Sequence, residues 1–341
     1  MSVLHNEIFE QPDALNRAIR AGREPIFRLV AEAKRRDVRY LVLAARGTSD
    51  NAATYAKYLF EIVCGVPVSL AAPSVHTLYE SEIAYRDALV LGVSQSGAGA
   101  DVIEVVTAAR KKGALTAAFT NTEDSGLARA AEHPIFCHAG VETAVAATKT
   151  YTTTLALFAQ LAAAWSGLGE LTRGIDRLEH AAAETLNREE QASTLAQTLL
   201  HAERILTVAR GLHLSTAIEA ALKIAETTYT TTQAFSSADL QHGPIASVAV
   251  RTPCLLFMPR GKTFSTLAEM ADKLTDRGAR VLKFAPEGTP GAAIHLGDAG
   301  TELLAPIVDI IPAQLLAFHL CIARGLDPDN PRGLTKVTIT R

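Results

Sequence analysis

Ala45-Arg46-Gly47 closes one short apolar run, and 164 residues later Ala209-Arg210-Gly211 closes another. The same shift carries Ser96-Gly97 onto Arg260-Gly261, and a shift of 165 carries Gly113-Ala114 onto Gly278-Ala279. Three coincident offsets, each set against an apolar run, mark a duplicated unit. The 341 residues are also too many for one ordinary hydrophobic core, since single domains split beyond roughly 200–300 residues.

Each copy reads as short apolar strands alternating with helices. In the first, Val38–Ala45 runs into Arg46-Gly47-Thr48-Ser49-Asp50 and an Ala-rich helix from Asn51 to Val63. Val68–Ala72 is the second strand. Ala88–Val93 is the third, and it leads through Ser94-Gln95-Ser96-Gly97 into a helix over Asp101–Lys111. Leu115–Phe119 and Pro134–Cys137 complete the set. The second copy shows Ile205–Val208, Pro253–Phe257 and Arg280–Phe284. Continuous apolar strands between helices predict an α/β fold with two tandem doubly wound parallel sheets. The expected divisions are a helical lead-in over 1–36, broken at Pro12 and Pro25, a first domain over 37–165, a helical linker over 166–197, a second domain over 198–325 and a tail over 326–341.

Composition narrows the function classes. With 48% hydrophobic and 20% charged residues the chain can bury a large core, and its net charge of -3 comes without a basic run. Nucleic acid is therefore not an expected partner, because phosphate-backbone binding leaves a clustered basic footprint. Cys64, Cys137, Cys254 and Cys321 lie far apart without metal-type spacing, which reads as free buried thiols in a reducing compartment. Met1–Glu7 has no apolar core, so a signal peptide is not expected. The apolar part of the uncharged run 150–169, Leu155–Trp165, falls short of the ~20 residues of a membrane span, so a cytoplasmic location without membrane contact is expected.

The copies differ in their turns. The first carries hydroxyls at Thr48, Ser49, Ser94 and Ser96, whereas the second has Leu212-His213 and Met258-Pro259-Arg260 in those places. Ser94-Gln95-Ser96-Gly97, at a strand's carboxyl end and ahead of a helix, suits a phosphate, since helix N-terminal N–H groups bind anions. Taken alone it reads more simply as an ordinary strand–helix turn with a serine cap. Paired with Gly47-Thr48-Ser49 on a neighbouring strand, the phosphate reading is favoured, and only the first copy is expected to hold the anion. The glycine spacing excludes the dinucleotide fingerprint.

Thr143–Thr150 either lines a sugar pocket with backbone, through Val145 and Ala147, or is a close-packed helix start. Glu219, Lys223 and Glu226 fall on one helical face at steps of four and three, among Ala217, Ile218, Ala220, Ala221, Leu222, Ile224 and Ala225. The helix is read as buried, and burial raises a carboxylate's pKa toward the range of a base that returns its proton. Glu226 is thus the expected catalytic carboxylate. His242, in Gln241-His242-Gly243-Pro244, is by default a surface or structural histidine. Lys336 is by default a solvated end lysine, unless the β-like residues after it pin the tail.

Together these blocks, with Val145-Ala146-Ala147-Thr148-Lys149 and Pro331-Arg332-Gly333-Leu334-Thr335-Lys336, resemble the sugar isomerase (SIS) family. The resemblance is to the isomerase half of glutamine–fructose-6-phosphate aminotransferase and its stand-alone relatives. It implies a homodimer that binds a hexose 6-phosphate or amino-sugar phosphate, with Thr48, Ser49, Ser94, Gln95, Ser96 and Gly97 at the phosphate and Val145, Ala147 and Thr335 along the sugar. It further implies that Glu226 moves a proton between C1 and C2. His242, from the other subunit, would assist ring opening, and Lys336 in the tail would close over the open-chain sugar. Two departures matter. Ala98-Gly99 replaces the Glu-Thr of the aminotransferase, and the sequence begins at the lead-in with no glutaminase domain, so use of glutamine is not expected. The loop Ala234–Asp239 resembles that of stand-alone glucosamine-6-phosphate deaminases. The expected activity is therefore glucosamine-6-phosphate deamination without metal or redox cofactor; a plain phosphosugar isomerase, a fructosamine-phosphate deglycase and a sugar-phosphate sensor stay open.

Overall fold

Among the described residues, 2–336 of the computed structural model, ten strands pair into two five-stranded sheets. The first contains β1 (Tyr40–Ala44), β2 (Val68–Leu70), β3 (Ala88–Val93), β4 (Leu115–Thr120) and β5 (His133–Phe136), in the order β2-β1-β3-β4-β5. The second contains β6 (Arg204–Ala209), β7 (Thr231–Ser236), β8 (Pro253–Phe257), β9 (Arg280–Ala285) and β10 (Ala292–His295), in the order β10-β9-β8-β6-β7. Both orders follow one rule, and every pairing is parallel. The α/β doubly wound fold expected from the repeat is the fold observed.

Burial explains which strands the sequence made visible. Every residue of β3 and β4 is buried, because helices cover both faces; β3 reads as an unbroken apolar run and β4 as one interrupted only by Thr116 before its closing Thr120. Val42, Val90 and Ala118 of the first sheet, with Leu127 of the short helix Gly126–Ala130, pack against Val102, Val105, Val106 and Ala109 of the helix Ala100–Lys111. Each fully buried Val or Leu contributes about 1.5–3 kcal/mol. The edge strand β7 is instead Thr-rich and half-exposed, and β10 is short. Neither has an apolar run to betray it.

The lead-in departs from expectation. Pro12 falls in the first turn of a helix Gln11–Arg35, where a missing N–H is harmless, but Pro25 lies inside that helix without ending it. A proline there costs about 3 kcal/mol in an isolated helix. Packing on both sides offsets it: Ile19, Ile26, Leu29, Val30 and Ala33 are buried. A Cβ at Gly22 would strike Leu157 and Gln160 of the helix Lys149–Ser166, so the two backbones approach closely. The Ser-rich stretch before His242 is likewise no loop, for β7 runs to Ser236 and a helical turn, Ser237–Gln241, follows.

The described residues divide into two compact units. One comprises the residues up to Pro12, Thr143–Thr148 and Arg177–Leu334; the other comprises Asp13–Glu142, Lys149–Asp176 and the residues from Thr335. Among the described residues one segment, Ala305–Ala323, is long and apolar enough to cross a membrane, yet 83% of it is buried within the protein. It packs on the helices Glu189–Thr198 and Leu214–Thr228. All four cysteines are free. Burial pushes each thiol up to about 11.

Candidate active site

In the first sheet β1 and β3 lie side by side, Ala44 opposite Gly92. The chain leaves β1 toward one edge and β3 toward the other, which makes this pair the switch point where doubly wound sheets leave a crevice at their carboxyl ends. Thr48 and Ser49 begin the helix Thr48–Val63, and Ser94–Gly97 lead into Ala100–Lys111. The sheet order thus brings all six predicted phosphate residues to neighbouring turns. Thr48, Ser49, Ser94, Gln95 and Ser96 are half-buried. The Ser94 hydroxyl accepts the Gly97 N–H at 3.2 Å and the Ser96 hydroxyl accepts that of Ala98 at 3.3 Å, while the Gln95 carbonyl accepts the Asn121 N–H at 3.0 Å. Gly97 has φ +61°, and a Cβ there would overlap the Ser125 side chain.

Arg46 and Asp101 tie the two turns together. Arg46 Nε donates to the Asp101 carboxylate at 2.6 Å, with Asp101 1% exposed and Arg46 half-exposed. Burial pushes the neighbouring Asp50 carboxyl up, and Arg46 opposes that rise. Two helix N-termini, several hydroxyls and one guanidinium converge here, which is the equipment of an anion site.

The second repeat lacks those hydroxyls, with Leu212-His213 and Met258-Pro259-Arg260 in their places. His213 stands 164 residues beyond Ser49, is buried, and pairs with buried Asp309 at 2.8 Å. Burial pushes the Asp309 carboxyl up, against the pull of His213 and the Gly297 N–H.

The same unit carries the predicted proton chemistry. On the helix Leu214–Thr228, Lys223 Nζ lies 3.4 Å from Glu219 and 2.7 Å from Glu226. Glu219 is fully buried and Lys223 nearly so, whereas the Glu226 side chain is 23% exposed. The apolar surroundings of these residues predict all three buried. Instead Glu226, near the end of the helix, is a partly exposed carboxylate whose buried Oε2 is held against a buried ammonium. His242 ends the turn Ser237–Gln241 with its side chain exposed, and Gly243 follows at φ +130°. Among the described residues no hydrogen bond joins Glu226 to His242.

Val145 and Ala147 are half-buried, alternating with buried Ala144, Ala146 and Thr148. Their loop is anchored by a residue the sequence reading passed over: the buried Glu7 carboxylate accepts the Thr143 N–H and, at 3.2 Å, that of Ala144. In the other unit, Thr335 is exposed, while Lys336 Nζ donates to Glu142 at 3.0 Å. Glu142 is buried and also accepts from the Thr150 N–H at 3.1 Å and the Thr150 hydroxyl at 2.7 Å. The tail lysine is paired, not solvated; the residues from 337 on lie outside the described set. Glu7 and Glu142 gave no signal, because a lone carboxylate in a loop acquires its role from distant partners.

Comparison with known proteins identifies the family of both repeats. Residues 36–164 and 198–324 each match the SIS domain family. The chain is 33% identical over 344 residues to the isomerizing glutamine–fructose-6-phosphate aminotransferase of Thermococcus kodakarensis, covering 97% of this chain and 56% of that one. It therefore spans little more than half the length of that relative. Among solved structures, a proposed phosphosugar isomerase from Silicibacter pomeroyi matches with a TM-score of 0.90 at 32% identity, over 96% of this chain and 100% of that one. The C-terminal domain of glucosamine-fructose-6-phosphate aminotransferase from Francisella tularensis gives 0.87 at 27% identity, over 97% and 98%.

Proposed function

The chain belongs to the SIS domain family, and from that premise we propose that it is a phosphosugar-processing enzyme, a glucosamine-6-phosphate deaminase that forms fructose 6-phosphate and ammonia. The observation that carries this reading is the pairing of Lys223 with the partly exposed Glu226 carboxylate at 2.7 Å in a chain with two neighbouring hydroxyl-lined turns in its first repeat. The turns at Thr48-Ser49 and Ser94–Gly97 hold the phosphate. His242, delivered from the partner copy of a homodimer, assists opening of the ring.

Glu226 takes the C2 proton of the open-chain aldose, and the electron pair moves to form an enolamine. Return of the proton to C1 leaves an imine at C2, which water hydrolyses to the ketone with release of ammonia. Fixed geometry supplies more of the acceleration than any one acid or base. Lys336 lies over the open-chain sugar, held by Glu142.

A second reading is plain aldose–ketose isomerisation, favoured by the likeness at 32% identity to a proposed phosphosugar isomerase. One assay separates them. The purified chain given glucosamine 6-phosphate and no glutamine releases ammonia under the first reading; under the second it releases none and interconverts aldose and ketose phosphates. Binding without either reaction would refute both.

A further inference from the structure

In the second unit, the loop between β8 and the helix Phe264–Asp276 takes the place that Ser94–Gly99 takes in the first. Gly261 stands 164 residues beyond Gly97, and both have positive φ, +125° and +61°. Each glycine is followed by a residue whose N–H lies at a strand's carboxyl end ahead of a helix, a geometry that attracts anions. In the second unit an anion is already there. The Lys262 N–H donates to the Glu302 carboxylate at 2.7 Å. That carboxylate lies so close over Gly261 that any Cβ at 261 would collide with it. Glu302 arrives from the loop after β10, and a cleft of about 380 Å³ beside it is lined by Arg260, Asp298 and Thr301.

We propose that Glu302 is a built-in anion which fills the second repeat's counterpart of the phosphate cradle, so that each chain takes one phosphate ester. The statement about the first cradle rests on the proposed function; the occupancy of the second does not. Removing the carboxylate frees the Lys262 N–H, opens the approach over Gly261 and leaves Arg260 at the rim, a site for a phosphate dianion. Its loss would turn a one-phosphate chain into a two-phosphate chain.

Amide-resolved NMR of the full chain, titrated with inorganic phosphate, tests this. The Lys262 amide stays still in the wild type and shifts saturably in both Glu302→Ala and Glu302→Ser, each checked for native spectral dispersion. A saturable Lys262 shift in the wild type, or none in either folded variant, overturns the proposal. The Ser96 and Ala98 amides report the first cradle in the same spectra, and their failure to move would count against the proposed function alone.

Discussion

Arg46 Nε and the Asp101 carboxylate, 2.6 Å apart, join the turn after β1 to the helix that follows β3. Asp101 is nearly inaccessible to water. Arg46→Ala therefore leaves a buried negative charge unpaired beside the proposed anion site. The expected result is a rise of about tenfold in KM for the sugar phosphate, roughly 1.4 kcal/mol, with kcat little changed. Asp101→Asn should cost less, and the double variant should recover part of the Arg46→Ala loss. Steady-state kinetics on the four proteins checks this; strictly additive losses would contradict it.

Gly97→Ala is expected to damage both fold and site. The residue must hold φ +61° while its Cβ meets Ser125. Left-handed backbone costs a non-glycine residue about 1 kcal/mol or more, and overpacking adds about 1–3 kcal/mol. A melting temperature several degrees lower, at about 2–4 °C per kcal/mol, should accompany loss of phosphate-ester binding. An unchanged melting curve would show that the turn relaxes more freely than its packing implies.

Acid should loosen the first unit through one charge cluster. Arg35 and Arg36 pull the half-buried Glu32 carboxyl from 4.5 down to about 2. Burial pushes Glu132 up, but Arg36 and the Thr116 hydrogen bonds outweigh it and hold it below the usual range. For carboxylates depressed in the folded state, the stabilisation is present above the unfolded value and lost as pH falls through the folded one. Glu132→Gln should therefore melt below the wild type near neutral pH, with the two converging as pH falls below the usual carboxylate range. Melting curves across that window test it, and a pH-independent gap would be the contrary result.

How much of this was legible depended on whether a residue's role is local. Gly47 with Gly211, and Gly97 with Gly261, all have positive φ, a backbone demand that only glycine meets cheaply, and they made the repeat readable. Buried strands such as β3 announced themselves by composition. β7 did not, since an edge strand needs no apolar run. Spacing alone placed Glu219, Lys223 and Glu226 on one face, but not their unequal exposure, which depends on where the helix ends. Glu7, Glu142, Asp101 and Glu302 bind backbone or side chains brought close by the fold. Helical and strand periodicities carry no trace of such partners.

In the proposed reaction Glu226 carries the proton between C1 and C2. The most direct test of that role is proton NMR of glucosamine 6-phosphate with the enzyme in deuterated water. Wild type should yield fructose 6-phosphate carrying solvent deuterium at C1, to the extent that the carboxyl proton exchanges before return. Glu226→Gln should bind the sugar phosphate with similar affinity and exchange no carbon-bound hydrogen. Exchange at C1 or C2 that persists in Glu226→Gln would contradict the account.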